Sequence, residues 1–150
     1  MKAVIQRVSR ARVIVEGRVA GEIGTGYVVL LGVHQEDTPA DAEWICGRIP
    51  KLRLFDDEQG QMNRSLVDVG GGLLVVSQFT LFATTKKGTR PSYHEAARPE
   101  VAFPLYERAV SLLAGAIGKP VATGEFGAMM QVEIVNDGPV TLLLDSRRRD

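Results

Sequence analysis

Two helix-like segments interrupt a chain that otherwise has the pattern of β-strands, and their number and order restrict the fold more than any other feature. The first has Thr38 as a candidate N-cap and Pro39 in the first helical position, and Pro50 is expected to end it. The second follows Pro99, repeats apolar residues at helical spacing, and stops at Gly118. This order of strands, helix, strands, helix and strands is typical of an α/β or α+β protein with helices packed on a mixed sheet. We expect the α/β class, with layered mixed β-sheets and two main helices packed on one side.

The segments around the two helices have the composition and the apolar alternation of strands. Predicted strands are residues 3–8, 11–15, 27–33, 52–55, 73–79, 130–135 and 140–144. Glu16-Gly17 is expected to form a hairpin turn, because glycine accepts the positive φ of a tight turn. Residues 70–72, all glycine, are interpreted as a mobile hairpin loop, and residues 136–139 as a polar turn between the last two strands. Pro104 is a second candidate for the start of the second helix.

Length, charge and cysteine content exclude several classes of protein. The chain has 150 residues, which is typical of one domain, so residues 1–150 are expected to form a single domain. Its 18 Lys+Arg balance 18 Asp+Glu, which argues against a strongly basic surface for nucleic acid. The single cysteine, Cys46, excludes an internal disulfide. Because no signal-peptide pattern and no apolar run of membrane-spanning length is present, we expect a cytoplasmic protein with no membrane partner.

The inventory of reactive side chains points away from metal chemistry. Cys46, His34 and His94 are far apart in sequence and lack the spacing of metal ligands, so no metal and no cofactor is expected.

Ser77 at a strand end and His94 form a conceivable nucleophile and base, although no G-x-S-x-G motif surrounds Ser77. The alternative is that Ser77 and Thr80 only bond to nearby backbone groups.

Two polar clusters carry a resemblance to a known family. Ser77-Gln78-Phe79-Thr80-Leu81 follows an apolar strand, and Asn136-Asp137-Gly138-Pro139-Val140-Thr141 lies between two predicted strands. Together they resemble the two signature motifs of the D-aminoacyl-tRNA deacylases, formerly called D-tyrosyl-tRNA deacylases. The likeness extends to Gln6-Arg7-Val8, Leu52-Arg53-Leu54-Phe55, Met62-Asn63 and Lys87-Gly88-Thr89-Arg90-Pro91-Ser92, and therefore covers essentially the whole chain.

The resemblance implies a hydrolase that cleaves the ester between a D-amino acid, or glycine, and the terminal adenosine of tRNA. It implies a homodimer in which Ser77, Gln78, Phe79 and Thr80 of one subunit form the catalytic pocket. Gly138 and Pro139 of the other subunit would enter that pocket as a cis peptide, held by Arg7, and reject L-amino acids. Further implied substrate-binding residues are Met129, Asn136, Lys87 and Arg90.

The resemblance also implies how the reaction proceeds without a protein base. The ribose 2′-hydroxyl of the tRNA would position or activate water, and backbone N–H groups near Phe79 and Thr80 would hold the developing oxyanion. Two alternatives remain open from the residues alone: a non-catalytic module that binds RNA ends, and an esterase with a serine or threonine nucleophile. In each RNA-binding case the balanced charge predicts local contact, for which Lys86, Lys87 and Arg90 are candidates.

Overall fold

The sheet is built around its first strand in the computed structural model, which describes residues 1–150. The strands are β1 (Lys2–Val15), β2 (Arg18–Ile23), β3 (Gly26–Gly32), β4 (Phe55–Asp56), β5 (Met62–Arg64), β6 (Gly72–Ser77), β7 (Ala122–Thr123) and β8 (Gln131–Asp145). The helices are α1 (Pro39–Arg48), α2 (Leu66–Val69) and α3 (Pro99–Ile117), with 3-10 turns at Ile49–Lys51 and Phe79–Phe82. The predicted α/β class is confirmed.

Strand β1 is paired along both edges. β8 runs antiparallel along the whole of one edge, while the other edge pairs with β3 in its first half and with β2 in its second half. β3, β6 and β7 continue the sheet as parallel neighbours. β2 and β7 approach each other closely, since a Cβ on Gly21 would lie 2.3 Å from the carbonyl oxygen of Thr123. The sheet is therefore mixed, as predicted, and nearly closed on itself.

The sheet separates two apolar cores. The larger core joins the two long helices to one face of β1, β3 and β6, where Ile5, Val29 and Val75 are buried. The smaller core, with Val13 and Leu74, fills the inside of the curled sheet and contains no helix residue. Both long helices thus pack on one side, and β3 is buried on both faces, as its continuous apolar run predicts.

Both long helices begin where proline predicts. α1 starts at Pro39 and gives way to a 3-10 turn that contains Pro50. α3 starts at Pro99 and ends at Gly118, whose φ of 72° is the left-handed conformation of a C-cap. Pro104 lies inside α3, so its interpretation as the start is wrong. The helix extends back to Pro99 because Ala102, before Pro104, is already buried in the larger core.

Two predicted strands have different bounds in the structure, and in the first of them side chains bind the backbone carbonyl groups. The 52–55 strand is reduced to β4, which begins at Phe55. The Tyr27 hydroxyl donates to the Leu52 carbonyl at 3.0 Å, and Arg7 Nη1 donates to the Leu54 carbonyl at 2.7 Å. The 73–79 strand ends at Ser77, where the chain turns into the 3-10 segment.

The glycine run at 70–72 is not a mobile hairpin loop. Gly70, with φ of 63°, ends α2, and its N–H bonds back to the Leu66 carbonyl. Gly72 opens β6 beside Gly26, where a Cβ on Gly26 would lie 2.0 Å from the Gly72 carbonyl oxygen. These glycines end a helix and allow two strands to approach, so the prediction is corrected.

The last two predicted strands are one strand, and residues 136–139 do not reverse the chain. Both parts of β8 pair antiparallel with β1 in one direction, with Gln6 opposite Thr141 and Val8 opposite Asn136. Four residues of β8 therefore stand opposite the single residue Arg7. We call residues 137–140 the β8 bulge. The strands predicted at 3–8 and 11–15 are likewise one strand, β1.

Candidate active site

An apolar cavity opens beside the end of β6. Its volume is about 560 Å³, within the range of pockets that hold small molecules. Its walls are Val33, Val76, Ser77, Gln78, Phe79, Tyr93, Ala96, Ala97, Pro99, Ala102, Phe126, Gly127, Ala128, Met129, Met130 and Val132. Four predicted site residues line this cavity: Ser77, Gln78, Phe79 and Met129. We call it the Phe79 cavity.

The end of β6 sets the position of the first motif. Ser77 is the last residue of β6 and pairs with Leu31 of β3. The N–H of Gln78 still donates to the Leu31 carbonyl at 2.8 Å, after which the chain turns into the 3-10 segment. Phe79 is consequently pushed out of the sheet. Phe79 is 55% exposed, and its ring meets that of Tyr93 edge to face, with ring centroids 5.1 Å apart.

Thr80 follows the cavity wall and does not line the cavity. Its hydroxyl oxygen accepts a hydrogen bond from the side-chain amide of Gln78. An amide N–H donor cannot take a proton from the hydroxyl, so Gln78 does not act as a base for Thr80.

The Phe79 cavity contains almost no group that transfers protons. Among its wall residues Tyr93 is the only titratable side chain, and no His, Cys, Asp, Glu, Lys or Arg lines it. Apolar walls with the amide of Gln78 and the hydroxyl of Ser77 can bind and orient a ligand. They do not supply a general base of the usual kind.

A second region is built around the β8 bulge, and the side chain of Asn136 bridges the two ends of the bulge by hydrogen bonds. The Asn136 carboxamide oxygen accepts from the Val140 N–H at 2.9 Å, and its amide donates to the Thr141 hydroxyl at 2.9 Å. The peptide bond between Gly138 and Pro139 is cis. A side-chain amide thus replaces the strand pairing that the bulge interrupts.

Arg7 holds the bulge from the side of β1. It is only 9% exposed, and its Nε donates to the Asp137 carbonyl at 2.9 Å while Nη1 donates to the Leu54 carbonyl. Asp56 and Asp137 lie 3.7 and 3.9 Å from its guanidinium and balance the charge. One buried arginine therefore ties the bulge to the segment before β4.

The two motifs do not form one site within the chain. Gly138 and Pro139 are absent from the walls of the Phe79 cavity. Gly138 instead lies against Arg7 and Val140. The residues of the two motifs accordingly lie at two different places on the molecule.

The remaining predicted residues line a third, basic cavity of about 320 Å³. Its walls are Thr84, Lys86, Lys87, Arg90, Ser92, His94 and Glu95. The Ser92 hydroxyl and His94 Nδ1 are 3.1 Å apart. Since Ser77 faces the Phe79 cavity and His94 faces this one, the structure does not form the conceivable Ser77–His94 dyad.

Tyr93, Phe126 and Met130 are cavity residues that the sequence did not single out. Tyr93 lies in an irregular segment and Phe126 follows β7, so neither has a periodic pattern that assigns it a face. Only the packing of both segments against β6 and α3 brings them to the cavity. No local signal was available to find them.

Two further observations concern chemistry and environment. No group of three or more His, Cys, Asp and Glu side chains is arranged to hold a metal ion. No helix combines the length and the apolar character that are needed to cross a membrane.

Comparison with known proteins gives a family match over nearly the whole chain. The model of the family described as D-Tyr-tRNA(Tyr) deacylase matches residues 4–145. The D-aminoacyl-tRNA deacylase of Opitutus terrae is 59% identical over 150 residues, which is 100% of both chains. That of Chromobacterium violaceum is 55% identical over 147 residues, or 98% of each chain, and that of Bacteroides thetaiotaomicron is 51% identical over all 150.

Solved structures show the same architecture. One described as c-Myc DNA Unwinding Element Binding Protein superimposes with a TM-score of 0.90 and 42% identity, over 97% of this chain and 98% of that one. Another, described as a probable eukaryotic D-amino acid tRNA deacylase, gives a TM-score of 0.83 at 17% identity, over 95% and 97% of the two chains. The second likeness concerns the fold alone.

Proposed function

Because the chain belongs to the D-Tyr-tRNA(Tyr) deacylase family, it is a hydrolase with D-aminoacyl-tRNA deacylase activity, and we propose how its residues divide the work. The aminoacyl ester of the terminal adenosine binds in the Phe79 cavity. The 2′-hydroxyl of the substrate's own ribose, and no side chain of the protein, positions or activates the attacking water. Gly138 and Pro139 of a second subunit cover the cavity and reject L-amino acids.

One observation carries the mechanism: the walls of the Phe79 cavity hold no conventional general base. Hydrolysis of an ester needs water to lose a proton as it attacks, and a group within hydrogen-bond reach must accept or relay that proton. When the amino acid is esterified to the 3′-oxygen, the neighbouring 2′-hydroxyl lies beside the reacting carbonyl. The substrate then carries the group that the cavity lacks.

The 3-10 turn after β6 supplies a candidate for oxyanion stabilisation. The first N–H groups of a helical turn have no partner within the turn, and here they belong to Phe79 and Thr80. Backbone N–H groups aimed at a developing alkoxide lower its free energy, because they are already oriented before the reaction begins. In this proposal Thr80 supports the turn through its contact with Gln78 and forms no covalent bond with substrate.

Selection of the enantiomer is assigned to the β8 bulge. Rejection by a clash requires an element that cannot move aside. The bulge is held by two hydrogen bonds, from Arg7 to the Asp137 carbonyl and from the Val140 N–H to the Asn136 side chain. Gly138 and Pro139 do not line the cavity of their own chain, which supports their action across an interface. The proposal therefore requires a homodimer. Glycine has no side chain to clash, so glycyl-tRNA is expected to be cleaved as well.

The chemical part is tested with D-aminoacyl-tRNA whose terminal adenosine lacks the 2′-hydroxyl. Loss of a general acid–base group costs roughly 10²–10⁴-fold, so kcat for this 2′-deoxy substrate should fall by that factor. The fall should be equally large in wild type and in Thr80→Ala, which should itself retain activity. An unchanged rate with the 2′-deoxy substrate overturns the mechanism.

The cross-subunit part is tested with mixed dimers of Phe79→Ala, which has an impaired cavity, and Asn136→Ala, which has a loosened bulge. The one intact cavity belongs to the Asn136→Ala subunit. If the bulge acts across the interface, that cavity faces an intact bulge and rejects L-aminoacyl-tRNA. If the bulge acts within its own chain, or if no dimer forms, hydrolysis of the L-ester equals that of Asn136→Ala alone and the proposal fails.

A further inference from the structure

We propose that the basic cavity lined by Lys86, Lys87 and Arg90 binds the phosphodiester groups of the nucleotides that precede the terminal adenosine of the substrate. This inference rests on the function proposed above and assigns the RNA backbone to a second site beside the first. Its ligand class is single-stranded RNA phosphate.

The three cations of this cavity are not used by the fold. Arg12, Arg18 and Arg108 each pair with a glutamate, whereas Lys86, Lys87 and Arg90 form no ion pair. Only one carboxylate, that of Glu95, lines the cavity with them, so the walls carry a net positive charge. Such a concentration of positive charge in a concave site attracts anions, even in a protein whose overall charge is zero.

The wall of the basic cavity also has the neutral donors that phosphate oxygens need. Thr84 and Ser92 face each other in a two-residue antiparallel bridge, with N–H to carbonyl distances of 2.9 Å in both directions. Their hydroxyl-bearing side chains and the imidazole of His94 line the cavity. Arginine, lysine, serine and threonine are the side chains that commonly contact phosphate, where they position a nucleic acid without reading its sequence.

The basic cavity shares a wall with the Phe79 cavity. Along one short segment, Ser92, His94 and Glu95 line the basic cavity, while Tyr93 lines the Phe79 cavity and touches Phe79. The chain turns at His94 and Glu95, and the side chains of this segment divide between the two cavities. The two cavities are therefore about one residue apart. A chain whose terminal nucleoside occupies the first carries its next phosphates past the second.

The test separates contact with phosphate from contact with the nucleoside. Lys87→Gln/Arg90→Gln should raise KM for D-aminoacyl-tRNA about tenfold and leave kcat within about twofold. It should not change KM for D-aminoacyl-adenosine, which has no phosphate. The slope of log KM against log salt should also fall by about 0.7 for each phosphate contact that is lost. The matched control is Lys51→Gln/Arg10→Gln, which removes the same charges elsewhere and should change none of these values.

Equal changes for both substrates, no change for either, or the same effect from the control would overturn the inference. A binding measurement makes the test independent of catalysis. The dissociation constant of the trinucleotide CCA should rise about tenfold in Lys87→Gln/Arg90→Gln, while that of adenosine stays constant. A wild type that binds CCA through these residues but hydrolyses no D-ester would disprove the proposed function and support the phosphate site. Hydrolysis without a change in CCA binding would do the reverse.

Discussion

The two signature segments of this chain are built in opposite ways. The β8 bulge is held at several points, since Asn136 bonds to Val140 and Thr141, and Arg7 bonds to the Asp137 carbonyl. The segment after β6 presents side chains that are not fully packed: Phe79 is more than half exposed, and Ser77 lines a cavity. The polar groups of the bulge hold its own shape, whereas the segment after β6 has one internal side-chain hydrogen bond, from Gln78 to Thr80, and places Ser77 and Phe79 at the Phe79 cavity.

This difference separates positioning from binding. A segment whose hydrogen bonds are satisfied internally holds its shape when a ligand arrives, as selection by exclusion requires. A segment with exposed apolar surface is stabilised when a ligand or another chain covers that surface. Changes in the bulge should therefore act on folding and selectivity, and changes beside the Phe79 cavity should act on turnover.

The largest effect is expected from Arg7→Met. The substitution removes a buried cation that donates to two backbone carbonyls, and each hydrogen bond from a charged group contributes about 1.5–3 kcal/mol. Unfolding in urea should show a loss of about 3 kcal/mol. The control Arg12→Met breaks an exposed pair with Glu133 and should leave the midpoint nearly unchanged. Equal midpoints for the two variants would show that Arg7 does not brace the bulge.

Phe79→Ala should have the opposite profile. Without the aromatic wall the ester is held less accurately, and misplacement of about 1 Å costs roughly 10²-fold in rate. kcat/KM for D-aminoacyl-tRNA should fall by about that factor, while the urea midpoint stays close to that of wild type because the ring is more than half exposed. A large loss of stability with normal turnover would contradict the division of roles.

Asn136→Ala should lie between these two. It removes the acceptor of the Val140 N–H and the donor to Thr141, so a destabilisation of about 1 kcal/mol is expected. Asn136→Asp is the informative control, because it retains the acceptor for Val140. We expect its urea midpoint to fall less than that of Asn136→Ala, and a greater loss for the aspartate variant would refute the role of that hydrogen bond.

His94→Ala should leave the chemical step nearly intact. His94 contacts Ser92 in the basic cavity and is absent from the walls of the Phe79 cavity. Single-turnover rates should stay within about twofold of wild type. A decrease of about 10³-fold, the scale on which serine triads respond, would point to a histidine base.

The smallest effect is expected at Cys46, which lies outside both regions. Burial raises the pKa of its thiol to about 12, and its Sγ lies 3.6 Å from the Ala109 carbonyl. The thiolate is the reactive form, so iodoacetamide should not modify the native protein at pH 8. Modification should begin only when the chain unfolds. Cys46 thus reports on the unfolding of Arg7→Met, and rapid labelling of native wild type would contradict its burial.

Residues that end or begin helices predicted the structure correctly where they act only on the neighbouring turn. Thr38-Pro39, Pro99 and Gly118 mark helix ends that the structure confirms, because capping and ring geometry act within one turn. The same kind of reasoning failed at residues 70–72 and 136–139. Glycine and proline there serve a close approach of strands and a bulge, and both depend on a strand that is distant in sequence.

The candidate site also combines features that local sequence predicts with features that depend on distant segments. Ser77 to Thr80 and Gly138-Pro139 stand out in the sequence as polar clusters next to apolar strands. The walls that make a cavity of the first include Tyr93 and Phe126, which come from segments with no periodic pattern. Their convergence results from how α3 and the loop before β8 pack on β6, which no short stretch of sequence encodes.

By itself, the sequence determined the α/β class, the two long helices, the family resemblance and the absence of a triad motif, because these depend on periodicity, end signals and contiguous motifs. Only the tertiary structure decided that β1 and β8 are single long strands and that the predicted site residues divide among a bulge, an apolar cavity and a basic cavity. It also placed Arg7 in the buried position that braces the bulge. Pairing between distant strands decides these points, since free energy from long-range burial and hydrogen bonds outweighs local propensity.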